Sequence, residues 1–261
     1  MCGRYAASRN QDDLVEEFEV DRVEVREPLA PDFNVAPTKD VYAVLTRHAR
    51  DRPAESPAVR QLRVVRWGLV PPWAPDPAIG NRMINARVET VDVKPAFRQA
   101  FARRRCLLPA DGYYEWYAEE GRLDARGRPR KQPFFIHRRD GGVLAMAGLY
   151  EFWRDPERPH DDPAAWLTTT VVITADATDD LGRIHDRMPM VVARPDWAAW
   201  LDPDVTDGAA VKGLLRPAAS AVLEAYPVSP AVGNPRNNGP GLVEPLPLDD
   251  AGGDDGGLFP A

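Results

Sequence analysis

Cysteine is scarce in this chain: two in 261 residues, Cys2 and Cys106. That excludes a disulfide framework. There is no CxxC, no HExxH, no P-loop and no GxGxxG opening a helix, so the common zinc and phosphate-cradling motifs are missing. The four histidines, His48, His137, His160 and His185, show no metal-ligand spacing. We therefore expect no metal and no cofactor. No run approaches the roughly 20 apolar residues of a membrane span. No basic segment followed by an apolar stretch opens the chain. The expected setting is the cytosol, with no membrane partner. Positive charge is absent from the last 21 residues, which hold Glu244, Asp249, Asp250, Asp254 and Asp255 but neither Lys nor Arg. They carry five of the seven net negative charges, leaving −2 for residues 1–240. A near-neutral body can still gather arginine on one face. The same numbers also fit an acidic surface with no polyanion partner.

What is present reads as α+β. "VYAVLTR" (41–47) and "LRVVRWGLV" (62–70) are rich in β-branched residues and predict strands. So do "CLLPADGYYEWYA", "PFFIHRR", "VLAMAGLYEFW", "LTTTVVITADA" and "LEAYPVS". Short helices are expected over 8–18, over 94–105, and in "PDWAAWL" and "GAAVKGLLR". Strands outnumber helices and do not alternate with them regularly, which disfavours a doubly wound sheet. No linker splits the body, so one domain is expected over 1–247. A Gly- and Asp-rich tail, 248–261, has the composition of disorder. Two charged stretches, 118–132 and 154–165, read as solvated loop insertions.

Four stretches carry candidate chemistry. In "MCGRY" the cysteine follows the initiator methionine. Cys is small enough for that methionine to be removed, which leaves a thiol and an amine on adjacent carbons. Their reference pKa values, about 8.5 and 7.7–8.0, leave both nucleophiles usable near neutrality. An aldehyde meeting the pair forms an imine, and the sulfur then closes a five-membered thiazolidine. The plain alternative is an incidental second residue. In "NRMINARVET" (81–90), Asn85 and Arg87 would share one face of an extended segment, suited to holding a nucleophile and a phosphate. They also fit an Asx turn and an ion pair with Glu89. In "PADGYYEWYA" (109–118), Glu115 lies among aromatics, where a carboxyl can have a raised pKa and act as acid or base. An outward strand glutamate is the alternative. In "GRIHDRMPMVV" (182–192), His185 is a candidate proton shuttle. It also fits a loop histidine satisfied by Asp186.

"MCGRYA", "FNVAPT", "WGLVPPWA", "INARVET", "LLPADGYYEW", "KQPFFIH", "TADA", "IHDRMP" and "NPRNNGP" stand in an order that resembles the SRAP (SOS-response-associated peptidase) family, from residue 2 to about 245. The resemblance implies a single domain with a predominantly antiparallel or mixed curved sheet, short helices packed around it, and a DNA-binding groove. It implies a sensor and shield of abasic sites in single-stranded DNA that traps the ring-opened aldehyde as a thiazolidine crosslink, with strand cleavage by β-elimination as a side activity. Carried over by motif, Cys2 is the nucleophile and Asn85 holds it. Glu115 handles protons at the amine, and His185 acts on the sugar hydroxyl during ring opening. Arg4, Arg87 and Arg187 match positions for phosphate contacts. Trp67 and Trp73 are candidates to stack on or wedge between bases, and Asn34 shapes the pocket floor. The partner implied is abasic single-stranded DNA. No protein partner is indicated, and a monomer is expected.

Two other classes fit the same residues. One is a cysteine peptidase that cuts after Met1, with Cys2, His185 and Asn85 as its nucleophilic set. The other is a non-covalent single-strand or modified-base binding module in which Cys2 is dispensable. The amine separates them. Thiazolidine formation fails with a blocked N-terminus, and peptide hydrolysis by a thiol does not.

Overall fold

The computed structural model describes residues 2–48, 57–123, 126–159, 161–177, 184–217 and 222–246. The acidic tail 248–261 and His160 lie outside the described residues. In chain order the elements are β1 (Tyr5–Ala7), α1 (Gln11–Glu17), β2 (Arg22–Glu24), β3 (Asp32–Val35), β4 (Asp40–Arg47), β5 (Val59–Trp67), β6 (Asn85–Arg87), α2 (Arg98–Arg103), β7 (Arg105–Ala110), β8 (Gly112–Leu123) and β9 (Pro129–Arg138). There follow β10 (Leu144–Arg154), β11 (Trp166–Asp176), β12 (Arg187–Val191), α3 (Trp197–Leu201), α4 (Gly208–Lys212), β13 (Arg216–Pro217) and β14 (Leu223–Pro227). The architecture is α+β, as expected. The first helix is capped by Asn10, whose side chain accepts from the Asp13 N–H, and Asp12 and Asp13 sit in its first turn.

The larger sheet curls until its pairings close a ring: β10 with β7, β7 with β4, β4 with β5, β5 with β11, and β11 back to β10. Among the described residues, only the β5–β11, β6–β11 and β2–β5 pairs are parallel. A second sheet, in the order β14-β9-β8-β1-β3, is antiparallel throughout. Alternation along β4 shows how side chains divide between two cores. Val41, Ala43 and Leu45 join the cluster that contains Cys2, Tyr113 and Met146. Tyr42 and Val44 face the cluster that contains Phe101, Trp197 and Trp200 from the helical segments. Gly148 lies where strands press together, because a Cβ there would meet Cys106 Sγ at 2.9 Å.

Two expectations need correction. "CLLPADGYYEWYA" is not one strand. It breaks at Asp111, and β7 belongs to the closed sheet while β8 belongs to the other. Asp111 secures the corner, because its N–H donates to the Ala6 carbonyl and its carboxylate accepts from the Ser8 N–H. Nor is 118–132 a loop throughout, since β8 and β9 extend into it from both ends.

Candidate active site

Three separated parts of the chain converge on Cys2. The first is β6, laid parallel to β11 with Asn85 opposite Val172. Its position is set one residue earlier, where the Trp67 indole N–H donates to the Ile84 carbonyl at 3.0 Å. Asn85 Nδ2 then donates to the Cys2 carbonyl at 2.8 Å. Asn85 Oδ1 is buried and has no hydrogen-bond partner among the described residues. Ala86 is buried and Arg87 exposed, so Asn85 and Arg87 occupy alternate positions as the spacing suggested.

The second part is β8, which brings in Glu115 opposite Phe134 of β9. Glu115 is 3% exposed. Burial pushes its carboxyl up from 4.5 to about 7, against the pull of the chain's amino-terminal charge. Cys2 is fully buried. Burial first, and then the charge of Glu115, push its thiol far above the ordinary range. The amino-terminal charge and the Arg4 backbone N–H, which donates to the sulfur, act the other way. The third part is the turn into β12. There His185 Nε2 lies 3.9 Å from Glu115 Oε2, and the histidine side chain is 30% exposed. His185 therefore stands at the mouth of the site and Glu115 at its base. His185 Nδ1 sits between the Arg187 N–H, at 3.0 Å, and Asp186 Oδ1, at 2.8 Å. Neutral imidazole accepts from the first, and imidazolium donates to the second. Burial holds the pKa of His185 below its usual value, which favours the neutral imidazole.

The remaining candidates divide. Arg87 and Trp73 are exposed, Trp73 at 59%. The Trp73 loop is anchored at Ala74, whose carbonyl accepts from the Trp153 indole at 2.7 Å. Gly68 and Gly80 let the two ends of that loop pack together, since a Cβ on either would lie within 2.6 Å of the other's carbonyl oxygen. Trp67 is a correction. It is fully buried beside Tyr5 and cannot stack on a base; its task is to hold Ile84. Arg187 is a second correction. It is 6% exposed, with its guanidinium on Glu89, Asp176 and the Thr174 carbonyl, so it braces the turn that carries His185 instead of facing a phosphate. Asn34 is a third. Fully buried, it donates to the carbonyls of Val232, Asn234 and Asn237 and receives Arg4 Nη1 at 2.7 Å. Arg4 Nη1 also donates to the Val232 carbonyl, and its guanidinium carbon lies 6.0 Å from the Trp116 ring centroid. Asn34 and the Nη1 edge of Arg4 thus pin the 230s loop, leaving Asn34 no polar edge for DNA.

Sequence reasoning missed Tyr113. Two residues before Glu115 and on its face of β8, it is buried within electrostatic reach of Cys2 and Glu115, and its hydroxyl has no partner among the described residues. The two-residue spacing in "YYE" was the available signal. Among the described residues no group of three or more His, Cys, Asp or Glu is placed to hold a metal ion. No helix there is long and apolar enough to cross a membrane.

The second residue of the chain is thus buried in a core to which both sheets contribute. The family model described as SOS response associated peptidase (SRAP) matches residues 1–235, and the chain belongs to that family. It is 38% identical over 244 residues to abasic site processing protein YoqW of Bacillus subtilis, covering 94% of this chain and 99% of that protein. It is 34% identical to abasic site processing protein YedK of Escherichia coli, covering 94% and 100%. A crystal structure of a protein from Bacteroides thetaiotaomicron shares the fold, with a TM-score of 0.74 at 23% identity, covering 94% of this chain and all of that one.

Proposed function

We propose that this protein processes abasic sites in single-stranded DNA by forming a covalent thiazolidine through Cys2 once Met1 has been removed, shielding the lesion as part of a DNA damage response. The observation that carries this reading is the seat of Cys2. Its carbonyl is held by Asn85, and it lies under the electrostatic influence of a buried carboxyl whose pKa is about 7. A carboxyl half-protonated at neutral pH can both donate and accept within one reaction.

His185, at the mouth, moves a proton as the deoxyribose opens to its C1′ aldehyde. The neutral Cys2 amine adds to C1′. Glu115 delivers the proton with which the hydroxyl leaves as water, giving an imine. The thiol then adds across the C=N bond, sulfur to carbon and proton to nitrogen, and Glu115 relays that proton. The raised thiol pKa keeps sulfur protonated until this last step. Water is the only product released. An imine at C1′ also acidifies C2′, which is the route to β-elimination. The names of YoqW and YedK, abasic site processing proteins, support this reading.

The test is intact mass after incubation with a single-stranded oligonucleotide carrying one abasic site. The expected species lacks one methionine and carries the oligonucleotide less one water. Cys2→Ala and N-terminally acetylated protein should give no adduct. Full adduct formation by acetylated protein would overturn the proposal in favour of thiol-only chemistry, as a self-processing cysteine peptidase requires.

A further inference from the structure

We propose that the outer part of the β8–β9 hairpin is a basic arm that grips the phosphates of the DNA strand on one side of the lesion. This rests on the reading above. Between Ala118 and Gln132 the chain places Arg122, Arg126, Arg128, Arg130 and Lys131 beside three acids, Glu119, Glu120 and Asp124, which leaves the hairpin a net charge of +2. All five cations are exposed. The cluster runs against the charge of a chain that is acidic overall.

Its placement gives it a direction. The two strands that carry Glu115 and its register partner Phe134 into the site are the same two that run out to the arginines. The pairing loses its regular register between Ala118 and Leu123 of β8, while β9 continues from Pro129. Alternate residues of a strand share a face. Arg130 therefore falls on the face of Gln132 and Phe134, which is the Glu115 face of the ribbon. At about 3.3 Å per residue, Arg130 stands roughly 13 Å along the strand from Phe134. That is within reach of phosphates a few nucleotides from a sugar held at Cys2. The root of the arm is already felt in the site, where the charge of Lys131 favours the ionised form of Glu115 and disfavours imidazolium at His185. Arginine suits the task, because its planar fork meets phosphate oxygens in pairs.

The experiment uses the full chain with Arg126, Arg128 and Arg130 changed together to alanine, and in a second variant to lysine. Affinity for a lesion-free single-stranded oligonucleotide is measured against salt. Each neutralised phosphate contributes about 0.7 to the slope of log K against log salt for single strands. The alanine variant should have a slope shallower by about 2, a loss of up to about 100-fold at 0.1 M salt relative to 1 M. Lysine should restore most of the slope. On oligonucleotides carrying one abasic site, which fixes the register, the loss in initial affinity of Cys2→Ala protein should vanish when the strand is shortened on one side of the lesion and persist when it is shortened on the other. An unchanged slope, a loss that lysine fails to restore, or a loss indifferent to which side is shortened would overturn the arm. A separate adduct assay keeps the two readings apart. Wild type that forms no adduct but shows the slope loss on mutation removes the covalent chemistry alone. Wild type that forms the adduct, with no slope change in the variant, removes the arm alone.

Discussion

Replacing Glu115 with glutamine should make this protein more stable and less active, and the gain in stability should depend on pH. The carboxyl is 3% exposed and its pKa is raised from 4.5 to about 7, chiefly by burial. A folded-state pKa above the unfolded value means that the native state favours the proton. The stability this contributes is fully present below pH 4.5 and is lost as pH rises through 7. At 1.36 kcal/mol per pKa unit, ionising Glu115 in place costs the fold about 3 kcal/mol at pH 8. Glutamine has nearly the same shape and no charge to desolvate. Denaturant unfolding of wild type and Glu115→Gln should therefore coincide near pH 4 and diverge to about 3 kcal/mol in favour of the variant at pH 8. The difference between the two proteins isolates this group from every other titration. Over the same interval the variant should form adduct about 10²–10⁴-fold more slowly, the usual worth of a general acid–base. A stability difference that does not change with pH, or a variant less stable than wild type at pH 8, would refute the assignment of a buried, strained carboxyl.

Four further outcomes follow from the geometry. His185→Ala should slow adduct formation with an abasic site, where a sugar ring must open, far more than condensation with a small free aldehyde. Single-turnover kinetics on both will show it, and equal defects would place His185 at the nucleophile. Trp73→Ala should weaken single-strand binding by about 1–3 kcal/mol, the worth of one stacking platform. Trp67→Phe, which loses the bond to Ile84, should slow adduct formation and leave that affinity intact; fluorescence titration and gel-resolved adduct yield separate the two. Arg105 is 2% exposed and donates to the carbonyls of Phe101, Ala102, Trp200, Asp202 and Val205. Arg105→Leu should destabilise the domain by several kcal/mol, because five carbonyls, two in buried and three in part-buried hydrogen bonds, lose their donor, and a fall of the thermal midpoint checks it.

Much of the site was legible because its chemistry depends on residue type and local order. A cysteine behind the initiator methionine, a glutamate set among aromatics, and an asparagine two residues from an arginine are statements about neighbours in the chain. Alternation along a strand then says that Asn85 and Arg87 share a face, and β6 has that alternation. Strand and helix positions were legible for the same reason, since period and turn residues are local. The sequence did not reveal which side of a sheet is covered by another. "WGLVPPW" offers two tryptophans six residues apart with nothing local to rank them. Closure of the ring through β11 buries Trp67 completely and leaves Trp73 outside. Arg187 reads as a free cation in "IHDRMP" until Glu89, 98 residues away, is folded against it. Asn34 reads as a groove residue until the 230s loop returns to take its hydrogen bonds. Residue types and their order determined what chemistry this chain can do. Long-range packing decided which groups keep water as their partner, because a polar group driven inside must find its bonds within the protein.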